Sequence, residues 1–211
     1  MPIPTIQRSE TEDITPWMTC PNIPGETIPG LAFIYPLDQL IVAEKRDALH
    51  DIIGTSGIAY TIFNSGGEKV FLAVLNKRFQ AFNVKIFNNY GNEVINVEKP
   101  FKKFPSKVLV WAPPGNYVGS VQKCLTCVDS YSVKNHTGNK VLKIRAESMF
   151  HYAYKVFLVY GGRAIGVVQD KFPLATLLDV KNFGVTFPAE FDVQDKAVLL
   201  GASFLIAYLK Y

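Results

Sequence analysis

Cysteine is scarce in this sequence: Cys20, Cys124 and Cys127 are the only three in 211 residues. Three thiols cannot build the disulfide framework of a small secreted domain. The first residues lack the basic-then-apolar order of a secretory signal, and Met1-Pro2-Ile3 offers no glycine for myristoylation. A reducing compartment, cytosol or nucleus, is the expectation. Catalytic patterns are missing too. No GxSxG, Walker loop or HExxH occurs, and His50, His136 and His151 fall in separate segments. The chain reads as a non-enzyme.

Long apolar runs are also in short supply. One uncharged run, Ala197 to Leu209, spans 13 residues. At ~1.5 Å per residue it reaches roughly 20 Å, short of a hydrocarbon core of about 30 Å. Its apolar residues do not keep to one face, so a helix over 193–210 has to be buried, in a protein interior or, as the alternative, in a bilayer. The expectation is a core helix, with the rest of the chain as its container. Asp192 at its start and Lys210 at its end suit the helix dipole.

What is present divides the chain at residue 30. Residues 1–30 hold six prolines and a charge of −3, which leaves +7 for residues 31–211 of the net +4. The first part reads as an extended arm, although Trp17 and Met18 are expected to fold back on the domain. Its Pro21-Asn22-Ile23-Pro24 fits PxxP, a weak pattern for a protein partner. The second part, 31–211, reads as one domain with a moderately basic surface. That balance favours anionic partners: acidic lipid first, nucleic acid with weaker support.

A repeat runs through that domain. Gly67, Gly91, Gly115, Gly138 and Gly162 recur at intervals of 24, 24, 23 and 24 residues, each in a turn-like cluster. β-branched or alternating stretches flank them, such as Tyr60–Phe63 and Val70–Val74, or Phe82–Phe87 and Val94–Val97. The pattern predicts five successive β-hairpins with glycine at a positive-φ turn position. Strands near Leu40 and over Asn182–Phe187 bring the total to about twelve. Leu31–Tyr35 reads as a further short strand, and Asp47–Ile53 as helical turns stopped by Gly54. This spacing argues for an antiparallel sandwich or barrel rather than a solenoid. A closed barrel has no free edge and can hold the C-terminal helix.

Several separate segments resemble the phospholipid scramblase family. They are Trp17-Met18, Cys20-Pro21, Pro29-Gly30-Leu31, Leu37–Val42, Ala112–Gly115, Asn182–Pro188 and Lys196–Ile206. The likeness runs from about Trp17 to Leu209. It implies a tubby-like fold: mainly β, a twelve-stranded closed antiparallel barrel around a hydrophobic C-terminal helix. It also implies calcium-linked movement of phospholipids between leaflets, at the cytosolic face of the plasma membrane, with oligomerisation as one route to activity. The alternative is a soluble tubby-like module, in cytosol or nucleus, that binds lipid, protein or nucleic acid without scrambling.

The resemblance points to three sets of residues. The family's calcium segment corresponds to 179–190, where Asp179 and Glu190 take the first and twelfth positions of an EF-hand-like loop. Lys181 stands in place of a second acid, and Phe183 and Phe187 cannot ligate through their side chains, so calcium affinity is expected to be low. Phe183–Phe187 alone reads as a strand. The family's cysteine-rich stretch corresponds to 99–107, which has no cysteine. Lys99, Phe101, Lys102, Lys103, Phe104 and Lys107 form there a basic-aromatic loop suited to an anionic membrane, or else a solvated connection that caps the barrel mouth. Cys20, Cys124 and Cys127 are the remaining acylation candidates. Cys124 and Cys127 make a single CxxC with no second pair, insufficient for zinc.

Overall fold

The computed structural model describes residues 15–23, 30–54, 56–101, 104–125, 129–147, 153–174 and 179–210. Twelve strands follow one another: β1 (Gln39–Ala43), β2 (Ile58–Phe63), β3 (Lys69–Arg78), β4 (Ala81–Phe87), β5 (Glu93–Lys99), β6 (Lys107–Trp111), β7 (Tyr117–Lys123), β8 (Ser130–Asn135), β9 (Lys140–Ala146), β10 (Ala153–Leu158), β11 (Ala164–Asp170) and β12 (Asn182–Thr186). Each pairs antiparallel with its neighbour in sequence, and β12 returns to pair with β1, closing a barrel. Two helices join them, α1 (Ala48–Ile53) and α2 (Val193–Lys210). The twelve-stranded barrel around a C-terminal helix is the fold expected above.

Local chemistry explains the hairpins. In the turns after β2, β4 and β8, the side-chain oxygens of Asn64, Asn88 and Asn135 accept from the backbone N–H of Glu68, Asn92 and Asn139. Three residues on, Gly67, Gly91 and Gly138 take φ of +82°, +78° and +85°, a region open to glycine at little cost. Just before each turn the register slips by one residue, at Ile62/Phe63, Ile86/Phe87 and Val133/Lys134. The same slip occurs at Val110/Trp111 and Val156/Phe157. Five bulges at matching heights sharpen the twist that closure needs. Gly162 departs from the expectation: it does not take a positive φ, and the fifth turn closes through the Gly161 N–H on the Leu158 carbonyl at 3.1 Å.

Leu31–Tyr35 is also not a strand. Ala32–Ile34 forms a short 3-10 helix instead. With β1 already paired on both sides, the closed barrel leaves no edge for another strand. Pro36 also removes a donor just beyond it. Curled up, the segment buries Leu31, Phe33 and Ile34 over one barrel end, and Phe33 meets Phe71 edge to face at 5.9 Å.

Helix α2 fills the interior: Lys196 to Ile206 are all buried. Gly201 lets it approach the wall, since a Cβ there would lie 2.7 Å from a Val110 methyl. Fully burying residues such as Leu200 or Leu205 contributes roughly 1.5–3 kcal/mol each. Among the described residues no helix is long and apolar enough to cross a membrane. Outside the wall, α1 sits against β2 and β3. Its capping box uses Asp47, which accepts from Leu49 N–H, and His50, whose Nδ1 accepts from Asp47 N–H. That leaves His50 Nε2 to donate toward the carbonyls of Tyr60 and Ala73, at 3.2 and 3.4 Å. Part of the arm docks here too. Pro16–Met18 exchanges backbone hydrogen bonds with Lys69, so Trp17 and Met18 do fold back.

Candidate functional site

Alternation of strand direction gives the barrel two ends. The glycine turns crown one, together with the start of α2. The other, called the far end below, carries the β3–β4, β5–β6, β7–β8 and β9–β10 connections and the end of α2. The basic-aromatic loop lies there, between β5 and β6. Its members part ways. Phe104 is 85% exposed and Phe101 50%, whereas Lys99 is buried at the end of β5. The Lys99 ammonium donates to the Gln80 carbonyl and sits 5.5 Å over the Tyr208 ring, and burial lowers its pKa. Lys99 therefore ties the wall to the end of α2 and leaves the membrane-facing set. Lys107 opens β6, half-buried. Lys102 and Lys103 lie outside the described residues.

Two side chains join this set that the sequence reading did not single out. Phe79, in the tight β3–β4 turn, is 79% exposed, and its ring centroid lies 6.2 Å from that of Phe101. Leu125, after β7, is 69% exposed. Three connections in succession thus offer apolar tips, with exposed Lys77 and Arg78 beside Phe79. The signal available in the sequence was position: each lies between two strands of the repeat, where an apolar residue has no core to face.

The end of α2 seals the far end from within. Tyr208 packs on Phe82 with centroids 4.8 Å apart, and Lys210 lies 4.6 Å over the Tyr154 ring. The Tyr154 hydroxyl donates to Asp129, which also pairs with Lys123 at 3.0 Å. Burial pushes the Asp129 carboxyl up, but the hydrogen bonds from Tyr154 and Lys123 and the nearby cations outweigh it and leave it low. Burial first, then Asp129, pushes the Tyr154 and Tyr131 hydroxyls well above the ordinary range.

The calcium segment is not a loop. Its central residues, Asn182–Thr186, form β12 and pair with both β1 and β11. A five-residue strand rises roughly 16 Å, and Asp179 and Glu190 sit beyond its opposite ends. Asp179 precedes the far-end start of β12 and Glu190 follows its glycine-end finish, so the strand lies between them. Phe183 and Val185 prevailed because they complete the barrel core. Among the described residues no group of three or more His, Cys, Asp or Glu could hold a metal ion.

The family described as Scramblase matches residues 18–211. This chain belongs to the scramblase family. It is 29% identical to phospholipid scramblase 1 of Mus musculus over 92% of this chain and 67% of that protein. Against phospholipid scramblase 2 of Homo sapiens the identity is 28%, over 98% and 78%. The match to the rat phospholipid scramblase 1 covers 66% of that protein, so the chain spans about two thirds of such relatives. A solved Arabidopsis thaliana protein has the same fold, with a TM-score of 0.55 at 11% identity, over 89% of this chain and all of that one.

Within this scramblase barrel the acylation candidates separate. Cys20 is exposed, Cys124 half-buried after β7 beside Leu125, and Cys127 outside the described residues. The glycine end holds a site that the sequence reading missed. Lys196, in the first turn of α2, is fully buried. Its three N–H groups face four carbonyls, donating to those of Ala189, Tyr35 and Leu37, the last two at 2.7 and 2.8 Å, with that of Ile34 sharing a donor at 3.2 Å. The Phe187 ring lies 5.3 Å away. Burial lowers its pKa to about 8, against the opposing pull of Asp38, Glu190 and Asp192. In the sequence Lys196 only marks where the uncharged run begins; the fold of residues 34–37 over it makes it a fastening.

Proposed function

We propose that this chain promotes movement of phospholipids between bilayer leaflets, and that it meets the cytosolic face of a membrane with the far end of its barrel. The observation that carries the reading is the row of exposed apolar tips, Phe79, Phe101, Phe104 and Leu125, on three successive connections beside cations. Apolar side chains that enter the headgroup region gain by burial, and each lysine near an anionic surface adds about 1 kcal/mol. An acyl group on Cys124 would enter at the same end and strengthen a reversible contact.

The scrambling step itself is constrained by α2. Headgroups need a polar path through about 30 Å of hydrocarbon, and α2 is enclosed by the strands around it. The barrel therefore acts by disturbing the bilayer at its contact, or by assembling with further copies. Calcium enters this reading without a chelate between Asp179 and Glu190. The same enclosure favours a second reading, a lipid-binding module without intrinsic scrambling.

Purified chain in liposomes with a labelled phospholipid separates the two. Exchange of label between leaflets above that of empty liposomes, with or without calcium, supports lipid movement. Binding to the liposomes without exchange overturns it in favour of the module.

A further inference from the structure

Residues 99–169 hold eleven Lys or Arg against only Asp129 and Glu147. The fold gathers much of that charge on one outer wall. In cross-strand register Gln122, Ser132 and Lys143 form one row across β7, β8 and β9, and Ser120, Lys134 and Lys140 another. Lys134 thus faces Lys140 directly, and Arg145 faces Lys155 on β10. Like charges directly opposite destabilise a sheet. Lys155 is relieved by Glu147 at 2.6 Å. Lys134, Lys140, Lys143 and Arg145 make no ion pair among the described residues.

Between these cations the wall is concave. A cavity of about 600 Å³ is lined by Ser130, Ser132, Lys140, Lys143 and Arg145, with Cys124 at its edge. A neighbouring one of about 340 Å³ shares Ser132 and Lys140, and adds Lys134, Gln122 and Leu125. Ser130 and Ser132 line the larger cavity together with the apolar Leu142 and Val159, beneath the long cations. On that floor the Ser132 hydroxyl is shielded from solvent and has no hydrogen-bond partner. Buried hydroxyls ordinarily find one.

We propose that this wall is a binding site for a multiply phosphorylated anion of headgroup size. Arg145 offers a planar fork for phosphate oxygens, and Lys143, Lys140 and Lys134 supply point charges around it. Ser132 donates from the floor. Among the described residues the polar part of the lining is cations, hydroxyls and one amide, with no carboxylate, which suits several phosphates better than a zwitterion. Among the described residues it contains no aromatic ring on which a base could stack, which disfavours single-stranded nucleic acid. Leu125 joins the cavity to the far end, so a headgroup held in a membrane reaches it from below. The site does not depend on lipid movement, because binding alone reads it.

The test uses the full chain and phosphatidylcholine vesicles carrying either phosphatidylinositol bisphosphate or phosphatidylserine at matched total charge. The bisphosphate vesicles are expected to bind at least about tenfold tighter. Arg145→Gln and Lys143→Gln should each remove most of that preference, while Arg46→Gln, just before α1 and across the barrel, leaves it intact. Lys140→Gln carries a second signature: weaker bisphosphate binding together with a higher melting temperature, because it relieves Lys134. Soluble inositol trisphosphate, bound with the same sensitivity to Arg145→Gln while both vesicle types bind alike, would keep the phosphate site but overturn the lipid source. Equal binding of both vesicle types with no soluble binding would overturn the proposal. So would duplex DNA displacing the bisphosphate vesicles from wild type.

Discussion

Lys196 Nζ lies 2.8 Å from the carbonyl oxygen of Leu37, a contact that spans 159 residues of chain. It fastens the start of the core helix to the segment that caps the barrel. Removing the ammonium strands several carbonyls in a dry site, each costing about 1–3 kcal/mol if left unpaired. Lys196→Ala is therefore expected to lower stability by about 3 kcal/mol or more in denaturant unfolding. Lys196→Met, which restores volume but no donors, should recover only part of the loss.

The pH dependence follows with a definite sign. Lys196 titrates near 8 when folded and near 10.5 when unfolded. Between those values the unfolded chain binds more protons, so this group makes stability rise as pH increases from about 8 toward 10. Tyr60, pushed up to about 12 chiefly by burial, acts oppositely, as do Tyr131 and Tyr154. Their contribution is complete below pH 10 and is lost above it. Unfolding measured across this range should show a maximum near pH 10, and Lys196→Met should remove most of the rising limb, leaving the smaller share from Lys99, whose pKa burial also lowers.

Barrel closure predicts a contrast between two glycines. Gly138 takes a positive φ in a turn with open space around it, so Gly138→Ala should cost about 1 kcal/mol, from backbone strain. Gly184 lies in β12, and a Cβ there would sit 2.3 Å from the Leu40 carbonyl. Gly184→Ala has to push β12 away from β1 and should cost several times more, read as a shift in the unfolding midpoint.

For calcium, the separation of Asp179 and Glu190 predicts independence. Titration of wild type, Asp179→Asn and Glu190→Gln by calorimetry should give the same weak response. Loss of binding in both variants together would mean that the 179–190 segment leaves β12 to hold the ion.

Much of this architecture was legible because local chemistry repeats. The Asn-x-x-Gly turns and the alternating strands between them betray their positions one hairpin at a time, and the unbroken apolar character of α2 betrays its enclosure. Leu31–Tyr35 was misread because an apolar stretch without period looks the same as a strand or a curled plug; only closure of the barrel decides. Lys99 looked like a surface charge, and Lys196 like no more than the edge of an uncharged run, for a related reason. Their partners, Gln80, Tyr208 and the carbonyls of residues 34–37, are brought to them by tertiary structure alone. The unpaired wall of β8 and β9 was half visible in the run of lysines, but facing pairs such as Lys134 and Lys140 need the register.

The far-end contact is the claim on which the functional reading stands. Phe79→Ser and Phe104→Ser should each weaken binding to anionic vesicles by about tenfold, because burying a phenylalanine contributes roughly 1.5–3 kcal/mol, while leaving the melting temperature within a degree or so. The most direct measurement places an environment-sensitive fluorophore at Phe104, at Tyr160 on the glycine end, or at Phe204 inside the barrel, and adds vesicles containing a lipid-borne quencher. Quenching at Phe104, with none at Tyr160 or Phe204, is the predicted result. Quenching at Tyr160 would turn the molecule over, and quenching at Phe204 would show that α2 leaves the barrel for the bilayer; either contradicts the account.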